Sequence, residues 1–243
     1  MEHAVGCEAG WPSGHLDKVF LPGGNWESNG GRNQTAGFAR CFVKNIKIPL
    51  EDFSLLDVGC ALGDSSPVFR RAYPKARLFG CDVSSVAIER CKTEYGHIAE
   101  FFKSGFEELS GFWDVIYCSN VLEHFKEYRE AASYLVSRCR IAYIMTPYFE
   151  LKDGKELTFA ADGQHGVTFR KDSFDILYER GLISSPATTK IIRCPKIFSP
   201  PWPKEILREI RRFTKMVVFR RYFPPKGRQI IYELHNKLPG GTM

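Results

Sequence analysis

Residues 55–64 are Leu-Leu-Asp-Val-Gly-Cys-Ala-Leu-Gly-Asp. A short apolar run ends here at glycines, and the chain resumes with Ser65 and Ser66 before Pro67. This pattern predicts a buried strand, a tight turn and the beginning of a helix. Glycines in such a turn lack the Cβ atoms that would keep a ligand away from the backbone, and they accept positive φ angles. The turn can therefore hold a nucleoside against the main chain.

The same strand–helix pattern repeats along the chain from Phe53 onwards. Regular alternation predicts an α/β fold with a parallel, doubly wound sheet that binds ligands at the carboxyl ends of its strands. The predicted strands are 53–58, 77–81, 98–103, 113–119 and 141–146, and the predicted helices are 67–73, 84–94, 127–138 and 171–180. Two last strands, 188–193 and 228–234, are predicted to pair as an antiparallel C-terminal hairpin at the edge of a mostly parallel, seven-stranded sheet.

The length of 243 residues, 44% of them hydrophobic, favours a single domain. Its core is predicted to comprise residues 45–194 and 228–236, with residues 195–227 as a basic helical insertion. The chain shows no apolar run of the roughly 20 residues that span a membrane, and its first residues do not resemble a signal peptide. We therefore expect a cytoplasmic protein.

Residues 1–44 are predicted to form an N-terminal arm, mostly irregular, with a helix over 35–43. The arm either folds over the ligand as a lid that carries Trp26, Arg32 and Gln34, or it covers the sheet as a surface segment.

The eight cysteines contain no Cys-x-x-Cys pair. Cys60, Cys81 and Cys118 fall at the ends of predicted strands, so we expect reduced, small apolar residues in the interior.

The spacing of the glycines narrows the choice of nucleoside. The turn has Gly59-x-x-x-Gly63, whereas a dinucleotide site needs Gly-x-Gly-x-x-Gly, and no Gly-Lys-Ser or Gly-Lys-Thr occurs for a phosphate-binding loop. Asp82 ends the second predicted strand, where a carboxylate can accept hydrogen bonds from ribose hydroxyls. The sequence thus predicts a nucleoside cofactor that lacks phosphates.

The chain resembles the class I S-adenosylmethionine-dependent methyltransferases over roughly residues 36–194 and the last strand. The resemblance is carried by 56–63 (Leu-Asp-Val-Gly-Cys-Ala-Leu-Gly), 80–84 (Gly-Cys-Asp-Val-Ser), 106–109 (Phe-Glu-Glu-Leu), 113–116 (Trp-Asp-Val-Ile) and 119–124 (Ser-Asn-Val-Leu-Glu-His). It implies a Rossmann-like methyltransferase fold and S-adenosylmethionine as the cofactor.

The resemblance also implies where the cofactor lies. Its methionine part would contact the first turn, its ribose Asp82, its adenine the turn at 105–106, and its methyl group would lie near the end of the fourth strand. The predicted cofactor-binding residues are Asp57, Gly59, Cys60, Ala61, Gly63, Asp82, Val83, Gly105, Phe106, Ser119 and Asn120. Ala61 replaces the usual middle glycine, and Gly105 stands where many members carry an acid that binds the adenine amino group, which leaves recognition of the base by a side chain open.

Methyl transfer needs the acceptor held in line with the sulfonium methyl group, and a hydroxyl acceptor must also lose its proton. The candidate catalytic residues are His124, which follows the fourth strand, and His165, which lies in a long loop over 147–167. Tyr148 is a weaker third. The alternatives are that His124 orders the start of the next helix and that His165 belongs to an ordinary surface turn.

Asn120, Glu123 and His124 resemble the Glu-x-x-Glu-His motif with which ubiquinone-pathway O-methyltransferases bind a divalent metal. Because Asn120 removes one of the charges that a hard cation needs, we expect no metal site.

The segment 202–228 has nine Lys or Arg and two Glu, so the net charge of +6 belongs to this segment. Its apolar residues at helical spacing predict an amphipathic helix over 204–221. This helix either packs on the protein, or it lies on an anionic membrane as a peripheral contact or engages an acidic acceptor such as a phospholipid-linked glycan. The short apolar stripe favours packing. No Asn-Pro-Pro-Tyr-type base-methylation motif follows the fourth strand, so we expect no nucleic-acid partner.

The acceptor is expected to be an oxygen, or alternatively a nitrogen, of a small molecule or sugar. Residues 23–27 and 30–34 resemble the entry region of bacterial sugar and natural-product methyltransferases, which favours a glycan. Two other functions stay open: a protein that binds S-adenosylmethionine or S-adenosylhomocysteine without turnover, and a nicotinamide oxidoreductase.

Overall fold

The structure is a computed structural model that describes residues 13–152, 154–158, 165–194 and 228–237. Seven strands form its central sheet: β1 (Ser54–Val58), β2 (Arg77–Asp82), β3 (Glu100–Lys103), β4 (Trp113–Ser119), β5 (Cys139–Pro147), β8 (Thr188–Arg193) and β9 (Arg228–His235). Two short strands, β6 (Leu151–Lys152) and β7 (Lys155–Glu156), form a separate hairpin.

The helices lie on both faces of this sheet. They are α1 (Ser13–Val19), α2 (Asn25–Ser28), α3 (Gly31–Asn45), α4 (Ser66–Ala72), α5 (Ser85–Tyr95), α6 (Tyr128–Ser137) and α7 (Asp175–Glu179), and a 3₁₀ helix covers Leu122–His124. None of the helices in the described part of the chain has the length and hydropathy needed to cross a bilayer.

The strand order is β3-β2-β1-β4-β5-β9-β8. The first five strands of this order pair in parallel, and β9 pairs antiparallel with both β5 and β8. The order reverses direction between β1 and β4, and ligands of doubly wound sheets bind at such a point. The predicted fold, including the antiparallel edge hairpin, is confirmed.

The core has two layers because successive residues of each strand face opposite sides of the sheet. All five residues of β1 are buried, as expected for a strand covered on both faces. Leu56 packs on one side with Ile116 and residues of α6, and Leu55 packs on the other side with Tyr117 and Phe42 of α3. The described cysteines are all free thiols, most of them buried, as predicted.

The arm differs from the prediction, because most of residues 13–34 is helical rather than irregular. Apolar residues of the first helix and the turn after it, Leu16, Val19 and Phe20, pack against Leu62 and Ala87 of the main fold. These contacts join residues far apart in sequence, so local composition did not reveal them.

Two other boundaries also differ. The predicted helix 171–180 begins at Asp175 because the preceding residues form turns, in which Ser173 Oγ accepts a hydrogen bond from the Arg170 N–H. The predicted strand 98–103 begins at Glu100 because the amides of Ile98 and Ala99 donate to the Tyr95 carbonyl instead. Both shifts arise from local hydrogen bonds that compete with regular structure.

The predicted basic insertion, 195–227, lies outside the described residues, so its packing and its membrane contact stay predictions. Residues 153 and 159–164 of the long loop also lie outside them.

Candidate active site

A cavity of about 880 Å³ opens at the carboxyl ends of β1, β2 and β4. Its walls come from the first turn, the ends of the neighbouring strands and the N-terminal arm. Of the predicted cofactor-binding residues, it is lined by Gly59, Ala61, Asp82, Val83, Gly105, Phe106 and Asn120.

The first turn, residues 59–63 after β1, is held tightly against its neighbours. The Gly59 and Cys60 amides both donate to the Cys81 carbonyl, at 2.9 and 3.0 Å. Gly59 has φ +73°, and a Cβ atom there would lie 2.4 Å from Val121 Cγ2. Glycine is therefore required at this position both by backbone conformation and by space.

Asp82 links this turn to the next helix. Its two carboxylate oxygens accept hydrogen bonds from the backbone amides of Ala61, at 3.0 Å, and Ser84, at 2.9 Å. Each oxygen keeps further acceptor capacity for a ligand hydroxyl. Burial raises the pKa of Asp82 to about 6.

Asp57 lies deeper, at a second and smaller cavity of about 250 Å³. Its carboxylate accepts a hydrogen bond from the Ser65 hydroxyl. Burial raises the pKa of Asp57 to about 7, and the nearby charge of Asp82 acts in the same direction. Ser119 and Asn120 line the same small cavity. It shares Gly59, Ala61, Asn120 and His124 with the larger one, as well as Trp26 and Gln34 of the arm.

Cys60 and Gly63 are not among the residues that line either cavity. A Cβ atom at Gly63 would lie 3.1 Å from both Cys91 Sγ and Tyr95 Cδ2. The structure thus explains Gly63 by close packing of the turn on α5. A contact of these two residues with a cofactor stays a prediction.

The turn after β3 brings acidic residues that the sequence analysis did not select. Glu107 and Glu108 line the larger cavity beside Gly105 and Phe106, together with Lys103. Glu108 Oε2 accepts a hydrogen bond from the Gly105 amide at 3.3 Å. Both glutamates belong to the family motif at 106–109, which could have indicated them as site residues.

The arm covers the larger cavity from outside. Leu16, Val19 and Phe20 line it, and Trp26 and Gln34 line both cavities. Arg32 instead binds away from the cavities, donating to Asp64 at 2.9 Å and pairing with Glu94. Of the three predicted lid residues, Trp26 and Gln34 thus lie at the cavities and Arg32 anchors the arm.

The small cavity also brings His124 and His165 together, although they are far apart in sequence. Their ring centroids lie 5.1 Å apart. The loop that carries His165 is docked by the Gly166 amide, which donates to the Glu123 carbonyl at 2.9 Å. Tyr148 lies elsewhere, in a bridge with Phe169, and is not among the lining residues of either cavity.

Two carboxylates that the sequence analysis did not assign to catalysis flank His165. Glu150 Oε2 lies 2.6 Å from His165 Nδ1, and Glu123 Oε1 lies 3.9 Å from His165 Nε2. Glu123 is completely buried, and burial raises its pKa to about 7. Burial lowers the pKa of His124 to about 4, so its ring is neutral near pH 7. The small cavity therefore offers a histidine pair next to a poorly solvated carboxyl group.

Comparison with known proteins identifies the family of the chain. Residues 31–180 match the family described as methyltransferase domain. No curated protein sequence matches the chain.

Several solved structures share the fold. A putative methyltransferase of Haloferax volcanii, solved with its methyltransferase activator, has a TM-score of 0.62 at 12% identity and covers 91% of this chain and 97% of its own. The magnesium protoporphyrin IX methyltransferase of Synechocystis PCC 6803, solved with S-adenosylhomocysteine, has a TM-score of 0.53 at 15% identity. The match covers 86% of this chain and 84% of that protein. The plantazolicin methyltransferase BpumL has a TM-score of 0.51 at 20% identity, and the match covers 93% of this chain and 89% of that protein.

The family match extends over more than half of the chain and includes the turn, Asp82 and the Asn120–His124 region. The chain therefore belongs to the methyltransferase domain family, and it is a class I S-adenosylmethionine-dependent methyltransferase.

Proposed function

We propose that this enzyme methylates a hydroxyl oxygen of a small polar molecule, with a sugar as the favoured acceptor. The observation that carries the proposal is the pair of adjoining cavities, which share Gly59, Ala61, Asn120 and His124. The larger one has room for the nucleoside of the cofactor. The smaller one then receives the acceptor next to the methyl donor.

In the larger cavity, we assign ribose recognition to Asp82 and the adenine end to the turn at Gly105 and Phe106. Val83 also lines this cavity. Glu107 and Glu108 provide carboxylates near the place where the adenine amino group would lie, and they replace the acid that is absent at position 105. Asp57 lines the smaller cavity, and we assign it to the positively charged methionine part, which would extend into that cavity beside the acceptor, since a buried carboxylate attracts an ammonium group strongly.

The composition of the small cavity supports a hydroxyl acceptor. Trp26, Phe38 and Tyr117 provide aromatic surface, and Gln34, Glu123 and His165 provide polar groups. Such a mixture suits a sugar, which has apolar C–H faces and hydroxyl edges. Neighbours in fold act on a porphyrin and on plantazolicin, as their names state, so the shared fold admits chemically different acceptors.

An oxygen acceptor also explains the histidine pair. A hydroxyl must lose its proton as the methyl group arrives, and a positioned base assists this step. Glu150 fixes His165 through Nδ1, which directs Nε2 towards Glu123 and the small cavity. We assign proton removal to this cluster, with His165 as the best placed acceptor of the proton.

The test is incubation of the full chain with methyl-labelled S-adenosylmethionine and a panel of sugars, phenols and amines. The proposal expects label in a hydroxyl-containing product, with matching release of S-adenosylhomocysteine. Label in amines alone would replace the oxygen acceptor by a nitrogen. Tight cofactor binding with no transfer to any acceptor would favour a binding protein without turnover.

A further inference from the structure

Glu123 is the unexplained group of the small cavity. Its side chain is fully buried, and neither carboxylate oxygen accepts a hydrogen bond from another described residue. Buried carboxylates are costly unless they are paired or bind a cation. Glu123 is nevertheless among the residues that line the smaller cavity.

Two nitrogen ligands lie within reach of the same point. One ligand atom from each of Glu123, His124 and His165 can be chosen so that all three lie within 4.8 Å of one another. Ligand atoms about 2.1 Å from one ion lie roughly 3–4 Å apart, so a small inward movement of the side chains would complete the site. His165 has a side chain that is 36% exposed and can make this movement.

The contact of His165 Nδ1 provides a second argument that His165 can bind a metal ion. Histidines that bind a metal through one nitrogen almost always donate the other N–H to a carboxylate or carbonyl, which orients the ring and increases its basicity. Glu150 Oε2 lies 2.6 Å from His165 Nδ1, and Nε2 on the other side of the ring lies 3.9 Å from Glu123 Oε1. Glu150 is therefore placed as the outer carboxylate and His165 as the ligand, and the cavity provides the space for the ion.

We propose that Glu123, His124 and His165 bind one divalent transition-metal ion, with Glu150 as the outer carboxylate that orients His165. Two imidazoles and one carboxylate favour Zn²⁺, Mn²⁺ or Fe²⁺ over Mg²⁺ or Ca²⁺, which prefer oxygen ligands. Three protein ligands also leave positions open for water or for an acceptor hydroxyl.

This inference revises the expectation from sequence that no metal binds. That expectation considered Asn120 as the missing ligand, whereas the structure provides His165 from a different loop. Metal binding does not depend on the acceptor proposed above. Where both hold, the ion would coordinate the acceptor oxygen and promote loss of its proton, and His165 would then act as a ligand instead of a base.

The test is isothermal titration calorimetry of the metal-stripped full chain with ZnCl₂, repeated with MnCl₂ and MgCl₂. We expect one equivalent of Zn²⁺ to bind, with Mg²⁺ at least tenfold weaker. Glu123→Gln and His165→Ala should each weaken Zn²⁺ binding at least tenfold, and Glu150→Gln about 10- to 100-fold. The visible spectrum of bound Co²⁺ should lose its ligand-field bands in the first two variants.

His97→Ala is the matched control, because His97 is exposed and lies outside the cluster. It should bind Zn²⁺ like the wild type. Circular dichroism checks that each metal-free variant is folded, and the half-exposed His165 provides a variant that should fold even if Glu123→Gln does not. The proposal is overturned if no ion binds saturably, or if Zn²⁺ binds with unchanged affinity to His165→Ala, which would place the ion outside this cluster.

Discussion

Two aspartates of the cavities have raised pKa values because the protein interior disfavours their negative charge. Burial raises the pKa of Asp57 to about 7 and that of Asp82 to about 6. A positively charged ligand has the opposite effect, since it stabilises the carboxylate. Cofactor binding should therefore be coupled to release of a proton.

For Asp57 this coupling predicts a pH-dependent affinity. S-adenosylmethionine should bind more weakly as the pH falls from 8 to 5, because the protonated carboxyl group must first lose its proton. Asp57→Asn should bind more weakly at pH 8 and show a flatter profile. Calorimetry in buffers of different ionisation enthalpy measures the released proton directly. An affinity that is independent of pH in the wild type would contradict the assigned role.

The two histidines should differ in what they do when removed. His165→Ala should lower kcat about 100-fold or more, with little change in cofactor affinity, because His165 does not line the larger cavity, in which the nucleoside is placed. His124→Ala should change both quantities, since His124 lines both cavities. Initial rates and calorimetry separate the effects, with His97→Ala as the control. Full activity in both variants would show that positioning alone suffices.

Among the structural elements, the N-terminal arm depends most on a few ionic contacts. Arg32, near the start of α3, binds the buried carboxylate of Asp64 through Nε at 3.0 Å and Nη2 at 2.9 Å. The Tyr95 hydroxyl also donates to Asp64, at 2.9 Å. This network joins the arm, the first turn and α5.

Arg32→Ala should therefore lower the free energy of unfolding by about 1–3 kcal/mol, because it leaves the buried Asp64 carboxylate without its cation. Urea unfolding measures the change. Lys92→Ala is a suitable control, since the pair of Lys92 with Glu89 is exposed and worth about 0–1 kcal/mol. Equal effects of the two substitutions would mean that Arg32 contributes no more than a surface ion pair.

Sequence and structure agree best for the elements of the sheet. A strand such as β1, buried on both faces, is marked by a short, mainly apolar run, and its end is marked by the glycine that follows. The helices of the arm lack such a mark. They are fixed by Leu16 and Phe20 packing on residues distant in sequence, and by Gly31, where a Cβ atom would lie 2.4 Å from the Trp26 ring.

The residues of the candidate site also fall into those that the sequence locates and those that it does not. Asp57, Gly59 and Asp82 could be located from sequence because they occupy fixed places relative to strand ends. Glu123 was named only within a motif that Asn120 interrupts, and Glu150 was not named, because the loop places His165 beside both through contacts that span many residues. Such contacts between distant segments leave no periodic signal in the chain.

For the whole molecule, the structure bears on whether the arm is a lid or a surface segment. Its residues line the larger cavity, so a bound cofactor should slow amide hydrogen exchange over 16–34 and in the turn 59–63. Exchange in β8, at the far edge of the sheet, should change little and serves as the internal control. Mass spectrometry with and without S-adenosylhomocysteine measures this. Unchanged exchange over 16–34 would identify a surface segment.

The central claim is that the cavity beside Gly59 and Asp82 binds the methyl donor. Calorimetric titration of the full chain with S-adenosylhomocysteine tests it most directly. We predict one saturable site, weakened at least tenfold, or about 1.4 kcal/mol, by Asp82→Asn and unchanged by Asp52→Asn, which alters an exposed carboxylate. Absence of saturable binding, or saturable binding of NAD in its place, would contradict the claim.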